Sequence, residues 1–165
     1  MTRPVSYSLR TRILHWLTVV LFLGLFVSGL VTDNTSTPGD TVPASLLPHL
    51  IMGSLMLVLL VWRIIRKARG RVAPAQNRLA EVGHWALLIG MTMMVASGMA
   101  VSIGQGLLPL AVSGGVMPDL SNVAPRLVHG AIKLPLLLLV VGHAGMAVWH
   151  QWGKRDGTLT RMIRG

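Results

Sequence analysis

Residues 127–149 read LVHGAIKLPLLLLVVGHAGMAVW. At 1.5 Å rise per residue, about 20 apolar residues cross a hydrocarbon core about 30 Å thick, and this run is long enough. Two histidines, His129 and His143, stand in it fourteen residues apart. That spacing is close to four helical turns, so they share a face within about 40° and lie about 21 Å apart along the axis. Ionisable side chains inside a span are expensive and mark function. A single metal ion cannot use both, since zinc ligands on one helix sit about three or four residues apart. Two groups stacked along the helix, one near each membrane surface, suit the spacing.

Working outward, three further apolar runs of spanning length occur at 13–32, 46–65 and 79–103. The chain has 165 residues, of which 52% are hydrophobic and 12% charged. Soluble domains carry about 25% charged residues, so a soluble enzyme and a disordered chain are both excluded. There is no cysteine, which removes disulfides, thiolate metal sites, iron–sulfur clusters and covalent haem attachment. The first run is read as a span and not as a cleaved leader. Its apolar part is about 18 residues, beyond the usual h-region, and no A-x-A site follows. The expectation is an all-α integral membrane four-helix bundle, with residues 1–165 as one domain.

The charges give the orientation. The net charge is +10. Arg3, Arg10 and Arg12 precede the first span; Arg63, Arg66, Lys67, Arg69, Arg71 and Arg78 lie at or beyond the end of the second; Lys154, Arg155, Arg161 and Arg164 follow the fourth. Asp33, Asp40 and Asp119 lie on the other side, with Arg126 nearby. The positive-inside rule puts both termini and the 66–78 loop in the cytoplasm. The basic balance is therefore a topology signal and a contact with anionic lipid, not a nucleic-acid footprint. Of the two outer connectors, 33–48 is turn-rich. The 104–125 segment is long and rich in Gly and Pro, and reads equally as a lid at the membrane surface or as a linker.

All six histidines fall in or at the ends of the spans. With that topology His49 and His129 are at the outer level. His15, His84 and His143 are at the inner level, and His150 is at the inner boundary. A helix bundle with inward histidines is a standard holder of haem, whose iron takes axial imidazoles from facing helices. The outer level offers His49 with His129. The inner level offers His143 with either His15 or His84. His15-Trp16 and Ser28-Gly29 recur 69 residues later as His84-Trp85 and Ser97-Gly98, which suggests two related hairpins. Gly29, Gly98, Gly130 and Gly142 would let a macrocycle approach the backbone, or serve close helix packing. Arg63 and Lys133 are candidates to pair with haem propionates, with snorkelling to the interface as the other reading of Arg63.

The ordered set of motifs resembles the bacterial cytochrome b561 family, small four-span di-haem b proteins of the inner membrane. It comprises R-x-x-H-W at Arg12–Trp16, P-H-x-x-x-G at Pro48–Gly53, W-R-x-x-x-K at Trp62–Lys67, G-H at Gly83–His84, V-H at Val128–His129, G-H-A at Gly142–Ala144 and D-G-T-L-x-R-M at Asp156–Met162. The resemblance covers essentially the whole chain. It implies haem iron held by His15 with His143 and by His49 with His129, hence two haem b groups and transmembrane electron transfer. By the same analogy His150 and His84 match positions near the cytoplasmic surface that serve a quinone site or propionates. Trp149, Trp152 and Trp16 stack on a quinone or form the interfacial aromatic belt. Ubiquinone or another quinone is the implied substrate. Some relatives oxidise superoxide; others dock a partner redox enzyme such as a hydrogenase or formate dehydrogenase. The 104–125 loop is poor in cations, which argues against an anionic superoxide donor. A haem-free, histidine-lined permease is the rival of another class, and it expects deep acidic residues that the spans lack.

Overall fold

The computed structural model describes residues 7–70 and 77–164; Arg3 and Arg71, counted in the charge pattern, lie outside them. Helix α1 spans Leu9–Thr35, α2 Leu46–Ala68, α3 Arg78–Gly104, α4 Leu107–Ser113 and α5 Ala124–Val148. A π-helical segment, Trp149–Gly153, continues α5, and α6 spans Thr158–Ile163. No helix pairs into a sheet, and the four long helices are long and apolar enough to cross a membrane. The chain is therefore an all-α, multi-pass membrane protein.

Helices α1 and α3 begin ahead of the apolar stretches that predict them, and a polar side chain caps each start. The Ser8 hydroxyl accepts from the Thr11 amide at 3.4 Å, and Asn77 Oδ1 accepts from the Ala80 amide at 2.9 Å. Each satisfies a donor that a helix start leaves unpaired. Pro125 stands in the first turn of α5, where a missing N–H costs nothing. Pro135 stands inside α5 and frees one carbonyl of the preceding turn.

Helices α1 and α2, α2 and α3, and α3 and α5 pack side by side. Leu21, Met56, Leu59, Leu60 and Val95 form the shared core. Val20, Val58, Leu134 and Val141 point outward, as side chains that meet lipid do. Lys67 of α2 and Glu81 of α3 form an ion pair at 2.5 Å, and Lys67 also lies over the Trp85 ring, 4.6 Å from its centre.

The connector between α3 and α5 is folded and packs against the ends of the long helices. Leu107 of α4 and Met117 are buried with Leu46 and Val101. The two connectors at this end are stitched together. Thr41 bridges Val116, the Met117 amide donates to the Asp40 carbonyl at 2.8 Å, and the Val42 amide donates to the Gly115 carbonyl at 2.9 Å. Asp119 Oδ1 accepts from the Ser121 amide at 2.8 Å, which holds its carboxyl below the usual range.

At the end where α1 begins, the π turn packs the Trp149 ring against Gly153. A Cβ on Gly153 would meet the Trp149 ring at 2.7 Å, so the ring lies where any other residue would clash. The Lys154 amide then reaches the Trp149 carbonyl at 3.0 Å. Beyond it, α6 folds back on the start of α1: Arg12 donates to the Ile163 carbonyl at 2.7 Å, and Trp16 Nε1 to the Met162 carbonyl at 3.2 Å.

Candidate cofactor site

The covered end encloses a cavity of about 510 Å³ lined by His49, His129, Gly29, Gly98, Arg126 and Lys133 among others. His49 on α2 faces His129 on α5 with ring centres 6.4 Å apart. Each ring lies against a glycine of a third helix. A Cβ on Gly29 would meet His49 Cε1 at 3.1 Å, and one on Gly98 would meet His129 Cε1 at 3.1 Å. The 69-residue echo thus has a structural meaning: Ser28-Gly29 of α1 seats the histidine of α2, and Ser97-Gly98 of α3 seats the histidine of α5.

At the terminal end, His143 of α5 lies between two other imidazoles. Its ring centre is 6.2 Å from that of His15 and 5.6 Å from that of His84. The structure therefore brings all three inner-level histidines together. Metal–imidazole bonds of about 2.0–2.1 Å on both sides of one ion put ring centres about 6.3 Å apart. The His49–His129 and His15–His143 spacings fit that; His84 sits closer.

Arg63 reaches the same region from α2. It donates to the Leu14 carbonyl at 2.8 Å, one residue before His15, while its Nε is buried with no hydrogen-bond partner. A buried guanidinium N–H without an acceptor is costly, and a carboxylate arriving with a ligand would satisfy it. Lys133 has a protein partner: its ammonium pairs with Asp33 of α1, and Arg126 binds the other oxygen of the same carboxylate at 2.8 Å. Asp33 thereby clasps α1 to α5 beside His129. That clasp joins residues 93 and 100 positions apart, a distance that hides it from any local pattern.

His150 hydrogen-bonds Asp156 at 2.5 Å through Nδ1. Asp156 also accepts from the Thr158 amide and hydroxyl at 3.0 and 2.6 Å. The His150 bond first and the Thr158 bonds second hold the Asp156 carboxyl at about 2. Trp149 and Trp152 are largely exposed, as belt residues are, whereas Trp16 is tied to the tail. His84 and His150 keep separate partners. The signal for the His150–Asp156 pair was present in the D-G-T-L-x-R-M tail, but only the fold shows what the aspartate binds.

Paired imidazoles at two depths, glycine seats beneath the rings and a buried guanidinium whose Nε lacks an acceptor fit haem. A membrane-spanning helical bundle so equipped is a membrane cytochrome. Residues 6–165 match the family described as prokaryotic cytochrome b561, and the chain belongs to that family. It is 27% identical over 180 aligned residues to cytochrome b561 homolog 2 of Escherichia coli strain K12, covering 97% of this chain and 92% of that protein. Family membership brings b-type haem binding and transmembrane electron transfer.

Proposed function

We propose that the chain carries electrons across the bacterial inner membrane through two b haems and exchanges them with the quinone pool. His49 and His129 would hold one haem, and His15 and His143 the other. The observation that carries this is the matched spacing of the two pairs, 6.4 and 6.2 Å between ring centres. Haem supplies one-electron chemistry when bound. The chain supplies the ligands, the apolar surroundings and the charges. Two imidazoles per iron leave no open position, so substrates meet the haem edge. Arg63 is placed to neutralise a propionate beside His15, and Lys133 and Arg126 to share their charge between Asp33 and a propionate beside His129.

Quinone exchange is assigned to the terminal end. Imidazole is suited to pass protons near neutral pH, and His150 and His84 both lie at that end, with Trp149 near His150. The cavity at the other end is lined by two cations, Arg126 and Lys133, and two carboxylates, Asp33 and Asp119. Those charges balance, so the cavity offers an anion such as superoxide no attracting field. The cation pattern supports an orientation with both termini in the cytoplasm, with residues 1–165 acting as one domain in lipid.

The test is a reduced-minus-oxidised visible spectrum of purified protein, with haem quantified as the pyridine haemochrome. Two low-spin b haems per chain are expected. His49→Ala and His129→Ala should each lose the same haem; His15→Ala and His143→Ala should each lose the other. A single haem, or loss of the second haem in His84→Ala with none in His15→Ala, would overturn the assignment. A colourless protein made with ample haem supply would favour a permease instead. Ubiquinol added anaerobically should reduce the haems, and His150→Ala should slow that reduction at least several-fold without changing haem content. Equal rates would remove His150 from the quinone site.

A further inference from the structure

The echo carries a hydroxyl as well as a glycine to each facing histidine. Ser28 donates its proton to the Gly24 carbonyl at 2.7 Å. The same oxygen lies 3.0 Å from Nδ1 of His49, so it is a lone pair that the imidazole meets. Ser97 repeats the arrangement. It donates to the Met94 carbonyl at 2.9 Å and lies 3.2 Å from Nδ1 of His129. Nδ1 of His129 is also 2.9 Å from the Met94 carbonyl. A carbonyl only accepts, so this nitrogen carries the proton. With both serine protons spent on backbone carbonyls, each hydroxyl is left as an acceptor for an imidazole N–H.

We propose that Ser28 and Ser97 are a matched pair of positioning residues that hold His49 and His129 as Nδ1–H tautomers, leaving Nε2 as the lone-pair nitrogen of both rings. The inference rests on the proposed haem ligation by these two histidines. An imidazole that donates its second N–H to an oxygen is fixed in orientation and is a more basic ligand. A more basic ligand favours ferric over ferrous iron, which lowers the potential. Among the described residues no serine hydroxyl bonds His15 or His143, so the effect belongs to one haem. His129 keeps the Met94 carbonyl if Ser97 is removed. His49 likewise keeps a backbone hydrogen bond to Leu25 if Ser28 is removed, so the two serines carry matched shares.

The experiment is a potentiometric titration with haem quantification on the purified full-length protein, comparing Ser28→Ala, Ser97→Ala and the corresponding threonine variants. Ser54→Ala is the control, since Ser54 sits on the same helix as His49 and donates to the Leu50 carbonyl. In Ser28→Ala one haem should bind about tenfold more weakly in its ferric form, with ferrous binding less affected. A tenfold change confined to the ferric form equals about 59 mV upward for a one-electron couple. The second haem should stay in place. Ser97→Ala should move the same haem in the same direction by a similar amount. Threonine should restore both, and Ser54→Ala should match the parent. Unmoved potential and haem retention in both alanine variants would overturn the proposal. So would equal movement of both haems, or an alanine effect that threonine does not reverse, because either assigns the change to packing. A parent protein without haem would remove the haem reading itself, whereas a parent with two haems and unmoved alanine variants removes only the role of the serines.

Discussion

Gly29 and Gly98 show how much one missing methyl group decides. A Cβ at either position would stand 3.1 Å from an imidazole carbon, tighter than ordinary contact, and the ring would have to swing away from its partner across the cavity. Gly29→Ala and Gly98→Ala are each expected to lose or weaken the haem assigned to His49 and His129, read as haem per chain, while the other haem remains. Gly145 has open space where its Cβ would go. Gly145→Ala should keep both haems and gain about 0.5–1 kcal/mol of helix stability, seen as a higher thermal midpoint. Equal haem loss in all three variants would mean that the seats are not specific. At the same scale, Leu60 is 1% exposed in the shared core. Leu60→Ala should cost about 2 kcal/mol, near the low end for such truncations, because lipid competes for the apolar surface less adversely than water does.

Element by element, the long helices were legible because a span is a length constraint written in composition. Expected spans 13–32, 46–65, 79–103 and 127–149 lie within α1, α2 and α3 or, for the last, end one residue beyond α5. Short elements were not legible. The short helix α4 and α6 are held by contacts with distant residues: Leu107 with Leu46, and Arg12 with Ile163. Local pattern carries no trace of these. The serines were visible in the echo, yet their function appears only when α1 and α2 are laid side by side. The C-terminal return from the π turn to α6 makes its own prediction. The carboxylate of Asp156 has a folded value of about 2 against an ordinary 3.8. Its contribution is therefore fully present above pH 3.8 and is lost as pH falls through about 2. Amide exchange in residues 158–164, corrected for intrinsic rates, should stay slow at pH 5 and become fast near pH 2. Asp156→Asn should be fast already at pH 5; protection equal to the parent's would show that the aspartate does not hold the tail.

For the whole molecule, charge and architecture make one joint prediction. Reporter fusions at either terminus should report a cytoplasmic location, and a cysteine introduced at Gly39, in the connector between α1 and α2, should react with an impermeant thiol reagent from the periplasmic side. Labelling only after the membrane is broken would reverse the proposed orientation. The family and the membrane class could be read from the chain alone, because histidines and cations at fixed places in apolar runs are few enough to count. The clasp through Asp33 could not, since it joins opposite edges of the bundle.

Both facing pairs draw one member from α5: His129 meets His49, and His143 meets His15. Of the four long helices α5 comes last in the sequence, so it is made after the other three. A nascent chain that has inserted only its first three spans displays His15, His49 and His84 without the imidazoles they face. Under the proposed ligation haem capture would wait for α5, and a chain truncated before residue 124 would lack one imidazole of each pair. Loading with haem would thus double as a check that α5 has been made and has packed.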